Sequence, residues 1–204
     1  MIRLDIDATQ AEKVKKLGGQ LLPDGKTWVI PEEAKHINRF KIWLPNEEGF
    51  IVQRPYFVLR AKRPCYKCKR ETPVVQLGGK RGQQASFRNG DTVTWRQWEN
   101  CPLCFTDITY MDDQIAASLQ SNYTFFKFVR SKGLQQKIWG NTCVHCGALQ
   151  EDDGEFRYGN SALHPGLWEE GLEIRIIYFS LQFDYYIEAC EIYDALITEI
   201  MEGR

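Results

Sequence analysis

Cys143-Val144-His145-Cys146-Gly147-Ala148-Leu149 is the stretch that decides how this chain is read, together with Cys65-Tyr66-Lys67-Cys68 and Cys101-Pro102-Leu103-Cys104. Each contains a C-x-x-C, and the three pairs use six of the seven cysteines in the 204 residues. Zn²⁺ takes four thiolate or imidazole ligands at tetrahedral corners, and a two-residue spacer on a tight turn aims both sulfurs of a pair at one metal. Two such pairs close a structural site. Gly147 suits the exit of a knuckle, where a side chain would crowd the metal.

Working outward, 43% hydrophobic and 13% aromatic residues are enough for a real core, as one domain with an appendage or as two small ones. The net charge of −1 hides an uneven distribution. Residues 1–150 carry a net +9 and residues 151–204 a net −10, which suggests an electrostatic partner for one half or docking between the halves. Met1-Ile2-Arg3-Leu4-Asp5 lacks the apolar core of a signal peptide, and no window approaches the roughly 20 apolar residues of a membrane span. The expectation is a soluble cytoplasmic protein with no membrane partner. In that compartment closely spaced cysteines favour metal or redox chemistry over a disulfide framework.

The N-terminal segment reads as strand, helix, hairpin and helix. Ile2, Leu4 and Ile6 alternate with polar residues. Asp7 or Thr9 can cap a helix that buries Ala11, Val14 and Leu17 and ends at Gly18-Gly19. Leu21-Leu22 and Thr27 to Ile30 flank the turn Pro23-Asp24-Gly25-Lys26. A second helix is expected from Pro31, with Ala34, Ile37, Phe40 and Trp43 on its apolar face. Trp28 and Trp43 are expected to fill this core.

Beyond Asn46-Glu47-Glu48-Gly49, Ile51 to Leu59 reads as a strand and Thr72 to Leu77 as its return. Gly78-Gly79-Lys80-Arg81-Gly82 is read as a mobile basic loop without the Lys-Ser/Thr end of a P-loop. Phe87 to Trp95 is a hairpin candidate around Asn89-Gly90. Asp112-Asp113 can start a helix through Leu119, and Tyr123 to Val129 reads as a buried strand. Leu172, Ile174, Ile176 and Tyr178 alternate as a strand. Phe183, Ile187, Cys190, Leu196, Ile197 and Ile200 then follow a helical period, with Cys190 on the apolar face.

Lys26-Thr27-Trp28-Val29-Ile30-Pro31, after a helix ending in Leu-Gly-Gly, resembles a small bacterial domain of plasmid-type primases and mobile-element DNA-processing proteins. In relatives an Arg-Trp-Asp stands where this chain has Gln20-Leu21-Leu22. Cys65-Tyr66-Lys67-Cys68-Lys69-Arg70-Glu71-Thr72-Pro73-Val74, with Ile138-Trp139-Gly140-Asn141-Thr142-Cys143-Val144-His145-Cys146-Gly147-Ala148, resembles bacterial zinc-ribbon-like proteins of unknown function. The resemblance implies an α+β fold. A small N-terminal βαββα unit (residues 1–46) would precede a zinc-ribbon-like antiparallel β domain with a C-terminal strand and helix (residues 50–204). It also implies that Cys65, Cys68, Cys143 and Cys146 hold the zinc. The rival pairing of Cys65/Cys68 with Cys101/Cys104 stays open, as does a second metal completed by His145 or His164.

Between Arg54 and Arg81 nine basic residues face one acid, Glu71. Arg60, Lys62, Arg63, Lys67, Lys69, Arg70, Lys80 and Arg81 are the candidate contacts to DNA or RNA. Trp95 and Trp98, near Arg88 and Arg96, are candidate base-stacking residues. A site closed by four thiolates leaves no position for substrate, two of the three histidines have no evident acidic partner nearby in sequence and His145 lies inside the knuckle, so no enzyme is expected. Two functions follow. One is a non-catalytic structural-zinc protein contacting nucleic acid in a bacterial mobile-element or phage-related setting. The other is a protein-binding adaptor or inhibitor, of immunity, antitoxin or anti-defence type, presenting an acidic C-terminal helix to a basic protein partner.

Overall fold

The computed structural model describes residues 2–31, 37–44, 49–88, 92–99, 102–152, 173–179 and 185–193. The N-terminal elements are β1 (Ile2–Leu4), α1 (Ala11–Lys16), β2 (Gln20–Leu21) and β3 (Trp28–Ile30). They form an antiparallel sheet in the order β1-β3-β2. Asp7 accepts the Thr9 amide at 2.9 Å while Gln10 Oε1 accepts the Asp7 amide at 3.4 Å, a capping box leading into α1. The expected second helix is a 3₁₀ segment over Ile37–Trp43; residues 32–36 lie outside the described residues. Ile37, Phe40 and Trp43 recur every third residue, the 3₁₀ period, and all three are buried. They share one core with Ile2, Leu4 and Val14 and with Ile51 and Tyr186 of the large sheet.

That large sheet is built on β4 (Gly49–Pro64) and β5 (Glu71–Arg88), a long hairpin running from Pro64↔Glu71 to Phe50↔Gln84. It continues through β6 (Thr92–Trp98), β7 (Leu103–Met111), α2 (Asp113–Asn122), β8 (Phe126–Arg130), β9 (Lys137–Asn141), β10 (Arg175–Phe179) and β11 (Tyr185–Tyr193). The strand order is β6-β5-β4-β11-β7-β9-β8, with β10 also on β4. Gly78 and Gly79 of β5 pair with Cys104 and Leu103 of β7, which closes β5, β4, β11 and β7 into a ring of pairings. The main core includes Val52, Val58, Leu77, Phe105 and Ile187, with Ile115 and Leu119 of α2 against it. Fully burying each such side chain is worth about 1.5–3 kcal/mol. The architecture is mixed α+β and mostly antiparallel sheet.

Four sequence expectations change. The basic glycine loop at 78–82 lies inside β5. A Cβ on Gly78 would sit 2.4 Å from the Phe57 ring, one on Gly79 2.4 Å from Val52 Cγ1, and one on Gly82 2.2 Å from the Ile51 carbonyl oxygen. These glycines serve close approach rather than turning. The helix expected from Phe183 is a strand over Tyr185–Tyr193, paired with both β4 and β7; residues 194–204 lie outside the described residues. Pairing on both edges buries Tyr185, Tyr186, Ile187 and Ala189 and leaves Cys190 exposed rather than in the core. The strand over Phe126–Arg130 is mostly exposed, because among the described residues β8 pairs only with β9, and of its five residues Phe126 alone is buried.

Asp112 does cap α2, accepting the Gln114 amide at 3.0 Å. Ile174 and Ile176 pack on a small cluster of Phe57, Leu59, Val74 and Cys104. The turn of the 87–95 hairpin lies outside the described residues, although Phe87↔Val93 pairs its arms. No helix among the described residues is long and apolar enough to cross a membrane.

Candidate metal centre

Two turns carry the cysteine pairs, and they have the same backbone design. In the first, the Lys69 amide donates to the Cys65 carbonyl at 2.8 Å and the Cys65 amide to the Arg70 carbonyl at 2.9 Å. In the second, Gly147 donates to Cys143 at 2.9 Å and Cys143 to Ala148 at 2.8 Å. The residue after the second cysteine is left-handed in both, Lys69 at φ 60° and Gly147 at φ 71°. Glycine takes that conformation freely, whereas lysine does so at a cost of roughly 1 kcal/mol.

The first turn joins β4 to β5, and β9 feeds the second. Together they bring Cys65, Cys68, Cys143 and Cys146 into one group whose sulfurs all lie within 4.8 Å of one another. Cys65 Sγ is 3.7 Å from Cys146 Sγ, and Cys68 Sγ is 3.7 Å from Cys143 Sγ. A disulfide would need about 2.05 Å. A metal bound to four sulfurs at about 2.3 Å gives a tetrahedral edge of about 3.8 Å. The four residues therefore fit a tetrahedral metal ion.

The electrostatics favour a cation. Burial pushes the Cys143 thiol up, but amide hydrogen bonds from His145 and Cys146 outweigh it and hold the group down at about 6. Cys65 is also lowered: burial raises it, while the amides of Cys68 and Lys67 and the Gln150 side chain act the other way. For Cys146 the Ala148 amide lowers the pKa, but burial and its sulfur neighbours prevail and push it up to about 11. Crowded sulfurs resist a further negative charge unless a cation sits among them.

Residues other than the four cysteines tie the two turns together. The Val144 amide donates to Thr72 Oγ1 at 3.2 Å, and Gln150 Nε2 to Cys65 Sγ at 3.6 Å. His145 Nε2 donates to the Glu71 carbonyl at 2.8 Å, so that nitrogen faces backbone rather than a metal. Asn141 Oδ1 accepts the Val75 amide at 2.8 Å, Asn141 Nδ2 donates to the Val75 carbonyl at 2.9 Å, and Glu151 holds Asn141 from the other side at 2.7–3.0 Å. Asp152 accepts the Ser131 hydroxyl at 2.6 Å and the Lys132 amide at 3.0 Å. These partners lie near the turns in sequence, but nothing in the residue pattern says which polar groups will meet.

Cys104 lies apart from the four sulfurs, buried beside Phe57, Leu59 and Val74; Cys101, His36 and His164 fall outside the described residues. The candidate nucleic-acid contacts are not gathered on one face. Lys67, Lys69 and Arg70 are exposed on the first cysteine turn. Lys62 pairs with Glu71 at 3.0 Å, Arg63 is buried, and Arg60 is exposed on β4. Lys80 lies 5.1 Å over the Tyr178 ring, and Arg81 Nε donates to the Arg54 carbonyl at 2.8 Å. Arg81 pairs with Gln53, roughly 35 Å along the ladder from the cysteine turn. Trp95 donates to the Lys41 carbonyl at 3.2 Å and Trp98 packs on the main core, so both serve packing.

Comparison with protein-family models, curated proteins and solved structures finds no match to this chain.

Proposed function

We propose that the chain is a non-catalytic structural-zinc protein that contacts nucleic acid through the first cysteine turn. The carrying observation is the exposure of Lys67, Lys69 and Arg70 on a turn whose two cysteines belong to the four-sulfur group. Four thiolates fill a tetrahedral zinc, leaving no place for substrate or water, so the metal's role is structural. A fixed tip with three cations offers phosphate contacts at little entropic cost. The resemblance to mobile-element DNA-processing proteins supplies the bacterial setting of this reading, and thiolate ligation suits a reducing cytoplasm.

The adaptor reading rests on an acidic C-terminal helix, whose residues 194–204 lie outside the described residues. Residues 185–193 form a strand, and Glu188 accepts the Tyr186 hydroxyl at 3.3 Å, which draws that carboxylate inward.

The test is binding of a labelled oligonucleotide across a salt series. The reading expects affinity that falls steeply with salt, and Lys67→Gln/Lys69→Gln/Arg70→Gln should flatten the slope by about 2 to 3 through loss of three phosphate contacts. Absence of affinity at low salt would overturn it.

A further inference from the structure

The outer strand β8 and its neighbour β9 carry a second surface that the metal centre does not use. Cross-strand pairing sets Phe128 opposite Trp139 and Arg130 opposite Lys137, which puts these four side chains on one face. Phe128 is 43% exposed. Its ring lies 5.5 Å from Trp139 at 38°, and Trp139 is backed by Phe126 at 6.0 Å and 21°. The three rings form a braced ladder whose outermost member faces solvent.

The charges around it are unusual for a plain surface. Arg130 and Lys137 are directly opposed, an arrangement that disfavours the folded sheet. Both are exposed, and among the described residues no carboxylate pairs with either. Lys137 Nζ lies 5.8 Å over the Phe128 ring. On the inner side of Trp139 a cleft lined by Phe126, Asn141, Asp107 and Glu151 has a volume of about 20 Å³, room for a water and not for a base. The exposed cations of this face lie at its Arg130–Lys137 end, beyond the rings, where they can meet a polyanion.

We infer that the Phe128–Trp139 face is a stacking platform for single-stranded nucleic acid, with a base on Phe128 and the adjoining phosphates on Arg130 and Lys137. Every base has a π face, whereas a duplex hides its faces in the stack, so exposed aromatics flanked by cations select single strands. The β9 strand runs from this platform into Cys143, so a strand lying on it is led toward the cysteine turns. The inference rests on the nucleic-acid reading above and adds the strandedness of the ligand and a second contact surface.

The experiment is fluorescence anisotropy with a labelled 20-nucleotide single strand and the matching duplex. The proteins are the unaltered chain, Phe128→Ala, Phe128→Leu, Arg130→Gln/Lys137→Gln and Lys67→Gln/Lys69→Gln/Arg70→Gln, each with its fold checked by circular dichroism. The single strand should bind more tightly than the duplex. Both Phe128 variants should weaken single-strand binding roughly 5- to 150-fold, the loss of one stacked base, and leave duplex binding unchanged. Leucine keeps the apolar bulk, so equal loss in both variants assigns the effect to the ring. The Arg130/Lys137 variant should reduce the single-strand salt slope by about 1.4. Folded Phe128 variants that bind like the unaltered chain, with binding still lost in the Lys67/Lys69/Arg70 variant, overturn the platform and leave the turn reading standing. Binding of neither oligonucleotide overturns both.

Discussion

The side-chain amide of Asn141 pairs with the backbone of Val75 as a neighbouring strand would, giving and receiving one hydrogen bond at 2.9 and 2.8 Å. Asn141 ends β9, which leads to Cys143, and Val75 lies in β5, which begins just past Cys68. One side chain thus sets the spacing of the two strands that position the four sulfurs.

Replacing Asn141 with alanine leaves the amide and carbonyl of Val75 buried without partners. The expected loss is about 2–6 kcal/mol, since each of the two orphaned buried groups costs about 1–3 kcal/mol. Urea denaturation of the metal-loaded protein measures it, and metal affinity should fall as well because the turns lose their common spacer. An unchanged denaturation midpoint would remove Asn141 from this role.

Gly82→Ala tests the close-packed reading of residues 78–82. The added methyl would lie 2.2 Å from the Ile51 carbonyl oxygen, a backbone atom that cannot swing aside. Overpacking of this kind costs typically about 1–3 kcal/mol. Gly25→Ala is the contrast. Nothing lies within 4 Å of its Cβ position, so its penalty comes only from φ 69°. A loop at 78–82 would make Gly82→Ala nearly neutral by thermal denaturation.

That contrast also shows where the sequence is legible. The cysteine turns, the Asp7 and Asp112 caps and the buried triad Ile37, Phe40 and Trp43 are local, so spacing alone announces them. Glycine has two uses, permitting positive φ and permitting close approach. At 78–82 the second applies, and only the long-range β4–β5 and β5–β7 pairings reveal it. Phe183, Ile187 and Cys190 fit a helical period, yet residues 185–193 are held by partners far away in sequence, Phe50 to Val52 and Leu103 to Met111. Asn141, Thr72 and Gln150 bear on the site for the same non-local reason: Asn141 and Thr72 stand inside the stretches around the cysteines, but their partners lie more than 60 residues away in the chain.

Glu151 gives the fold a pH dependence. Burial raises its carboxyl and Asp107 adds to the rise; hydrogen bonds from Asn141 oppose it, and the group comes to rest at about 7 instead of 4.5. Between those values the folded chain holds more proton than the unfolded chain. Stability from this group is therefore fully present below about 4.5, falls as pH rises, and is gone above about 7. From pH 6 to pH 8 the unaltered protein should lose on the order of 1 kcal/mol more than Glu151→Gln, with the metal contribution common to both. Parallel denaturation profiles for the two proteins would contradict this.

The central claim is that one metal ion joins the two cysteine turns. Structural zinc contributes an apparent binding energy on the order of 10–16 kcal/mol, comparable to the stability of a whole domain. The direct measurement is zinc per chain, by elemental analysis of protein purified without added metal, for the unaltered chain, Cys143→Ser and Cys101→Ser/Cys104→Ser. The account predicts one zinc in the unaltered chain, one in the Cys101/Cys104 variant and less than one in Cys143→Ser. Loss of zinc from the Cys101/Cys104 variant with retention in Cys143→Ser would contradict the four-sulfur site, as would metal-free unaltered protein.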